Sequence, residues 1–356
     1  MWIYLVNLLI ITAVMWFFRK KKNWSYILAF ADLFILAAIR SMDVGRDNGS
    51  YERIFNYVRK GYITLSNAKG YEKGYIFLNQ LVCKIHGNIR LLLIVVAFLS
   101  LIGVFYYIKK NAIYPWISLY IYICMMYYQQ NLTIWRQAIA VNIVLIAYCR
   151  LQEKHYVQFV LLIVLAVLFH RSAILALAPL VLQKIRLTKK QVFLFVLLFA
   201  IVYGFRNQIV QLAFSLHINR LAIYMDAVVS NEGYSQLILY CAMLFFAVYS
   251  VLAYYRNIKL RRIERDGELE VRLQQSIILG ILMVGMQLVA TYFSTLARAG
   301  LYFSVPFVLL LPNFLNCFSQ KRNRKIIRYL MYAAFLAFYV FLMRKDNSFY
   351  CTMWNG

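Results

Sequence analysis

The chain has 356 residues, of which 63% are hydrophobic and 15% charged, and a formal net charge of +26. Soluble domains average about 45–50% apolar and about 25% charged residues, so this composition excludes an ordinary soluble enzyme and predicts an all-α polytopic membrane protein. Long apolar blocks exclude a membrane β-barrel, whose strands alternate in short segments, and basic residues lodged between those blocks read as insertion bias, not as a nucleic-acid surface.

Apolar runs near the ~20 residues of a bilayer crossing predict about twelve spans: 2–18, 24–39, 90–108, 112–130, 136–149, 157–170, 172–183, 191–206, 236–255, 276–293, 299–318 and 327–343. The first run begins at Trp2 and its charges follow it, the reverse of a secretory signal, so it reads as a retained span. The next interval, 40–89, is polar and forms the expected first outer loop. It holds Asp43, Asp47, Glu52 and Glu72 with Arg40, Arg46, Arg53 and Arg59. Its part 76–86 is too short and polar to span and predicts an amphipathic helix along the interface. The short spans 136–149, 157–170 and 172–183 fit broken or re-entrant helices, tolerated where they line a polar cavity. A second outer loop, 206–235, again has helical spacing of apolar residues.

Alternate loops at 19–22, 109–110, 150–154, 184–190, 256–265 and 321–325 carry more than half of the 39 basic residues. The positive-inside bias makes that face cytoplasmic and places both termini outside. The cytoplasmic loops are short and lack a Gly-rich phosphate loop, which disfavours an ATP-driven pump. The six cysteines show no metal or disulfide spacing. The expectation is one integral membrane domain over 1–356, with no cofactor and no metal.

Candidate chemistry gathers at the outer ends of the spans. Arg136 and Gln137 open one span. His170, Arg171 and Ser172 fill a turn of almost no length between two apolar runs, where an ionisable residue is a functional candidate; as a structural alternative, Ser172 can cap the helix that follows. Arg298 opens another span. Arg46 and Asp47 form a Gly-flanked turn, Glu72 precedes the interfacial segment, and Arg220 and Tyr224 share a helical face four residues apart. Asp32, inside an apolar span, is expected to pair with an arginine. An outer-end arginine can simply snorkel to the headgroups, but four of them, Arg46, Arg136, Arg171 and Arg298, are explained together by one anionic ligand. Guanidinium forks match phosphate, and a lipid diphosphate presents paired phosphates at that depth.

These pieces, in this order, resemble the EpsG family of bacterial polysaccharide polymerases, a branch of the Wzy-type enzymes. The resemblance rests on GRDNGSY with Tyr51, EKGYIFLNQLV, RQAIAVNIVLIA, HRSAILALAPL and ARAGLYFSVPFVLLLP, over roughly residues 40 to 310. Asn48 departs from the threonine or serine expected after the aspartate, and Arg171 is an addition within the His-x-Ser piece. The resemblance implies an inner-membrane enzyme similar in architecture to class C glycosyltransferases. It would transfer a growing glycan from undecaprenyl diphosphate onto a new lipid-linked repeat unit at the periplasmic face. Its partners would be lipid-linked oligosaccharides, a flippase and a chain-length regulator. Asp47, Glu72 and His170 compete for the general base; imidazole has a suitable ordinary pKa of ~6.5, whereas a carboxylate needs burial. Arg46, Arg136, Arg171 and Arg298 would hold the diphosphate, and Tyr51, Gln137, Arg220 and Tyr224 the sugars. The rival readings are a lipid-linked oligosaccharide flippase or other transporter, a related ligase, and a scaffold of the assembly complex. The chain shows no inverted repeat that would favour transport.

Overall fold

Asn88 starts the longest apolar helix of the first part of the chain: its side chain accepts a hydrogen bond from the backbone of Arg90 at 2.8 Å, the usual way of satisfying an orphan amide. The helix runs Ile89–Asn111 and ends on Lys109 and Lys110, cations that suit the negative end of the helix dipole. Its 23 residues extend about 34 Å at 1.5 Å per residue, enough for a hydrocarbon core of ~30 Å. The structure, a computed structural model, describes residues 2–18, 21–68, 70–182, 232–291 and 294–345, with isolated positions at 197, 201, 204–205 and 208.

All regular structure among the described residues is helical. In chain order the helices are α1 (Trp2–Phe17), α2 (Lys22–Ala38), α3 (Asn48–Arg59), α4 (Lys73–Ile85), α5 (Ile89–Asn111), α6 (Pro115–Cys124), α7 (Tyr127–Thr133), α8 (Trp135–Gln152) and α9 (Tyr156–Phe169). A 3-10 turn, Arg171–Leu177, leads into α10 (Ala178–Leu182). Then come α11 (Glu232–Lys259), α12 (Gly267–Ala290), α13 (Ser294–Ala299), α14 (Leu301–Leu310), a 3-10 segment Leu311–Cys317, and α15 (Lys321–Lys345). The chain is thus an all-α, membrane-associated protein. By length and composition, four of the described helices can cross a membrane: Ile89–Asn111, Tyr234–Lys259, Gly267–Ala290 and Lys321–Arg344. Six further apolar helical stretches are shorter. The expected span 191–206 and the second loop 206–235 fall almost wholly outside the described residues.

Three expectations change. The run 112–130 is not one helix: α6 and α7 are separated by Met126 in the left-handed region at φ 62°, a conformation no hydrophobic pattern announces. Among the described residues Asp32 is partnered by an amide and not an arginine: it accepts a hydrogen bond from the Asn7 side chain. Of the three short spans expected to be broken, only 172–183 is irregular, a 3-10 turn followed by a short helix, while 136–149 and 157–170 lie in the continuous helices α8 and α9.

The chain divides into two compact units, Met1–Ile174 with Ile327–Gly356, and Leu175–Ile326. In the first, α8 is packed between α5 and α9 and is buried along most of its length. At the α5–α8 crossing, a Cβ on Gly103 would stand 2.1 Å from the Asn142 backbone oxygen, so only glycine allows that approach. The Asn142 side chain accepts from the Val104 amide at 3.0 Å and donates to the Ser100 and Ala138 carbonyls. A buried amide whose groups are engaged this way fixes the register of the two helices. Helices α3 and α4 pack on each other, and α4 also meets α5 and α9. Their shared core contains Tyr51, Ile54, Phe55, Tyr75, Ile76 and Trp135. The helix expected at 76–86 is therefore present as α4, starting three residues earlier. In the second unit α12 packs against α11 and α14, and Asp266 caps it by accepting from the Leu269 amide at 3.0 Å.

Candidate active site

Three residues far apart in sequence meet in the first unit. Glu72 is the N-cap of α4, Arg136 lies in the first turn of α8, and His170 is the C-cap of α9. Arg136 donates through Nη1 to Glu72 Oε2, and His170 Nδ1 stands 3.4 Å from Glu72 Oε1. That second contact is at ion-pair distance but lacks the alignment of a formed hydrogen bond, and His170 Nδ1 is buried without another partner. The Glu72 side chain is 8% exposed. Burial pushes its carboxyl up, but the imidazole of His170 and the guanidinium of Arg136 outweigh burial and hold it down at about 2. Glu72 is therefore a carboxylate near neutral pH, bound by Arg136 and facing the imidazole of His170.

The local backbone explains this meeting. Gly74 sits in the first turn of α4, where a Cβ would stand 2.7 Å from the Leu168 carbonyl oxygen of α9. The missing side chain lets the start of α4 touch the end of α9, and so brings Glu72 to His170. Arg171 donates to the Gly70 carbonyl at 3.1 Å, tying the approach to Glu72 to the same turn.

Arg136 also lies near two aromatic rings, 5.9 Å from the Tyr51 centroid and 5.8 Å from that of Tyr71, distances at which a guanidinium is attracted to a ring face. Tyr51 stacks on Trp135 at 4.7 Å and 12°, and Arg40 lies 5.7 Å from the Trp135 ring. Arg40 is 1% exposed and donates to the Ala37 and Leu132 carbonyls. Among the described residues its hydrogen-bond acceptors are carbonyl groups, not an acid.

The Gly-Arg-Asp turn stands beside this stack. Gly45 has φ 128°, and a Cβ there would meet the Leu132 oxygen at 2.6 Å, so the position requires glycine. Asn48 is fully buried and donates to the Met42 and Val44 carbonyls at 3.0 and 2.7 Å. The Asn48 side chain thereby braces the turn. An open pocket of about 480 Å³ follows, lined by Asp47, Ser50, Tyr51 and Tyr57 with Tyr71 and Arg136.

The sequence-derived candidates now sort by position. Glu72, Arg136, His170 and Tyr51 cluster, Arg171 touches their edge, and Asp47 lines the pocket. Arg46 is exposed in the turn. Gln137 is buried and is not among the pocket residues, because its place next to Arg136 on α8 turns it to another face. Arg298 belongs to α13 in the second unit and is exposed. Arg220 and Tyr224 lie outside the described residues. Sequence reasoning passed over Tyr71, Tyr57, Ser50 and Trp135 as site residues. The helical spacing of Asp47, Ser50, Ile54 and Tyr57 could have drawn attention to two of them, Ser50 and Tyr57. Among the described residues no group of three or more His, Cys, Asp or Glu could hold a metal ion.

The helices and this ion-paired cluster define a helical membrane protein with a carboxylate–arginine–histidine site. The EpsG family model matches residues 23–354, and the chain belongs to the EpsG family. Comparison with curated proteins and with solved structures yields no match.

Proposed function

We propose that this protein is a polysaccharide polymerase that transfers a growing glycan from undecaprenyl diphosphate onto a new lipid-linked repeat unit. Family membership supports polysaccharide synthesis in general terms. The observation that carries the finer reading is Glu72, buried, ionised, bound by Arg136 and facing His170 Nδ1 at 3.4 Å.

In this mechanism Glu72 orients the imidazole through Nδ1, leaving Nε2 to take the proton of the acceptor hydroxyl. The acceptor oxygen attacks the anomeric carbon, the bond from that carbon to the diphosphate oxygen breaks, and undecaprenyl diphosphate leaves with the electron pair. Arg136, helped by Arg46 and Arg171, stabilises the charge that develops on the diphosphate. Tyr51 contacts the sugars, and Gln137, buried on another face of α8, drops out of the sugar-binding set. Asp47, which lines the same pocket as Arg136, is the alternative base.

The protein works as a single integral domain of about twelve spans, similar to class C glycosyltransferases, in the inner membrane. Segments 40–89 and 206–235 face the periplasm, and a flippase and a chain-length regulator act beside it. Deletion followed by a glycan ladder tests the reading. Loss of the ladder with retention of single-repeat glycan is the expected result; loss of all surface repeats would instead identify a flippase or ligase.

A further inference from the structure

Helix α3 carries more site chemistry than the ion-paired cluster uses. From Asp47 to Tyr57 its pocket face rises ten steps, about 15 Å of helix, much more than a diphosphate needs. Arg53 and Ile54 complete the pocket lining on this helix, so Ile54 is the one aliphatic side chain among phenols, guanidinium groups, a hydroxyl and a carboxylate. Such a wall does not suit a polyprenyl tail.

The tyrosines continue past the pocket. Tyr57 is 48% and Tyr62 59% exposed, and their ring centroids lie 6.2 Å apart at 58°. The backbone fixes this pair: the Tyr62 amide donates to the Tyr57 carbonyl at 2.9 Å, and Gly61 turns the chain at φ 75°. Tyrosine offers a flat apolar face and a polar edge at low conformational cost. Two held, exposed rings beside hydroxyl, carboxylate and guanidinium groups match a sugar ring, which has an apolar C–H face and a rim of hydroxyls.

We propose that the groove along α3 binds the sugars of the lipid-linked glycan next to the reacting linkage, and that Tyr57 and Tyr62 form a stacking platform for a sugar farther along. This deepens the polymerase reading and rests on it.

The test uses a deletion strain complemented with Tyr57→Ala, Tyr62→Ala and the double variant, with Tyr57→Phe and Tyr62→Phe retaining the rings. Inserted protein is quantified beside the glycan ladder. The expected result for the double Ala variant is a ladder shifted to shorter chains. KM for the lipid-linked repeat unit purified from the deletion strain should rise on the order of 10-fold, with the loss falling on KM and not on kcat. The Phe variants should keep the wild-type lengths. Shortening confined to long chains assigns the groove to the growing glycan; an equal loss of the two-repeat product assigns it to the incoming unit. A double Ala variant with unchanged ladder and KM overturns the proposal. If deletion itself leaves the ladder intact, the polymerase reading fails separately. The groove is then judged by whether the released repeat-unit oligosaccharide binds purified wild-type protein and not the double Ala variant.

Discussion

Gly74 touches the Leu168 carbonyl so closely that a Cβ would come within 2.7 Å of its oxygen. Gly74 follows Glu72 by two residues and Leu168 precedes His170 by two, so the contact sets the spacing of the candidate dyad. Gly74→Ala should push α4 from α9, costing about 1–3 kcal/mol through overpacking and abolishing polymer. Gly49, where a Cβ meets nothing within 4 Å, is the matched control, and Gly49→Ala should retain both stability and polymer. Thermal unfolding in detergent with a glycan ladder checks both. A fully active Gly74→Ala protein would show that this spacing does not matter.

His170→Gln keeps size and hydrogen bonding but cannot accept the acceptor proton. Loss of a general base costs typically 10²–10⁴-fold, so single-repeat glycan should dominate while insertion stays normal. If His170→Gln makes full-length polymer and Asp47→Asn makes none, the base is the carboxylate at the start of α3.

Arg136→Lys should not restore an Arg136→Ala defect, because an ammonium lacks the planar fork that donates in pairs and stacks flat on ring faces. Arg136→Ala, unlike Arg136→Lys, removes the positive charge beside buried Glu72, which costs a few kcal/mol, about 3 where the pair is well shielded. A double-mutant cycle with Glu72→Gln separates this structural coupling from catalysis. Non-additive stability with complete loss of polymer in each single variant is expected. Full activity in Arg136→Lys would reduce Arg136 to an anchor.

The Glu72 carboxyl sits at about 2, below its ordinary 4.5. A depressed acid stabilises the fold when ionised, so its contribution is complete above the ordinary value and is lost as pH falls toward the folded one. The difference in Tm between wild type and Glu72→Gln should therefore be constant from neutral pH to about 5 and shrink between about 4.5 and 2. A difference that instead grows on acidification would mean that Glu72 is protonated in the native protein.

Orientation is checked by labelling. In a Cys-free background, Gly49→Cys should react with an impermeant thiol reagent from outside and Arg262→Cys should not. Both positions are exposed, so accessibility within the protein does not confound the result. The opposite pattern would reverse the topology and move the site to the cytoplasmic face.

Helix content and the candidate residues Glu72, Arg136 and His170 were legible because each sits at a polar break in an apolar pattern. Their association was not. It depends on Gly74 meeting a backbone carbonyl nearly a hundred residues away, a contact with no local periodicity. The division of 112–130 at Met126 was equally hidden, since hydrophobicity reports burial and not φ. Arg40 stood out only as one charge of a polar loop, whereas the structure buries it beside Trp135 and gives it carbonyl partners. Asn48 looked like a blemish in the motif, and its two hydrogen bonds were invisible until the turn had a shape.

Those two bonds, with Gly45 fitted against Leu132, hold the turn that starts α3. A segment already fixed by its own carbonyls has little conformational entropy left to lose when a ligand arrives, and ordering cost is a large part of what weakens binding to loops. Asn48→Ala would free the turn without touching any pocket residue, so its effect on substrate affinity would measure how much recognition depends on a surface shaped before the sugar reaches it.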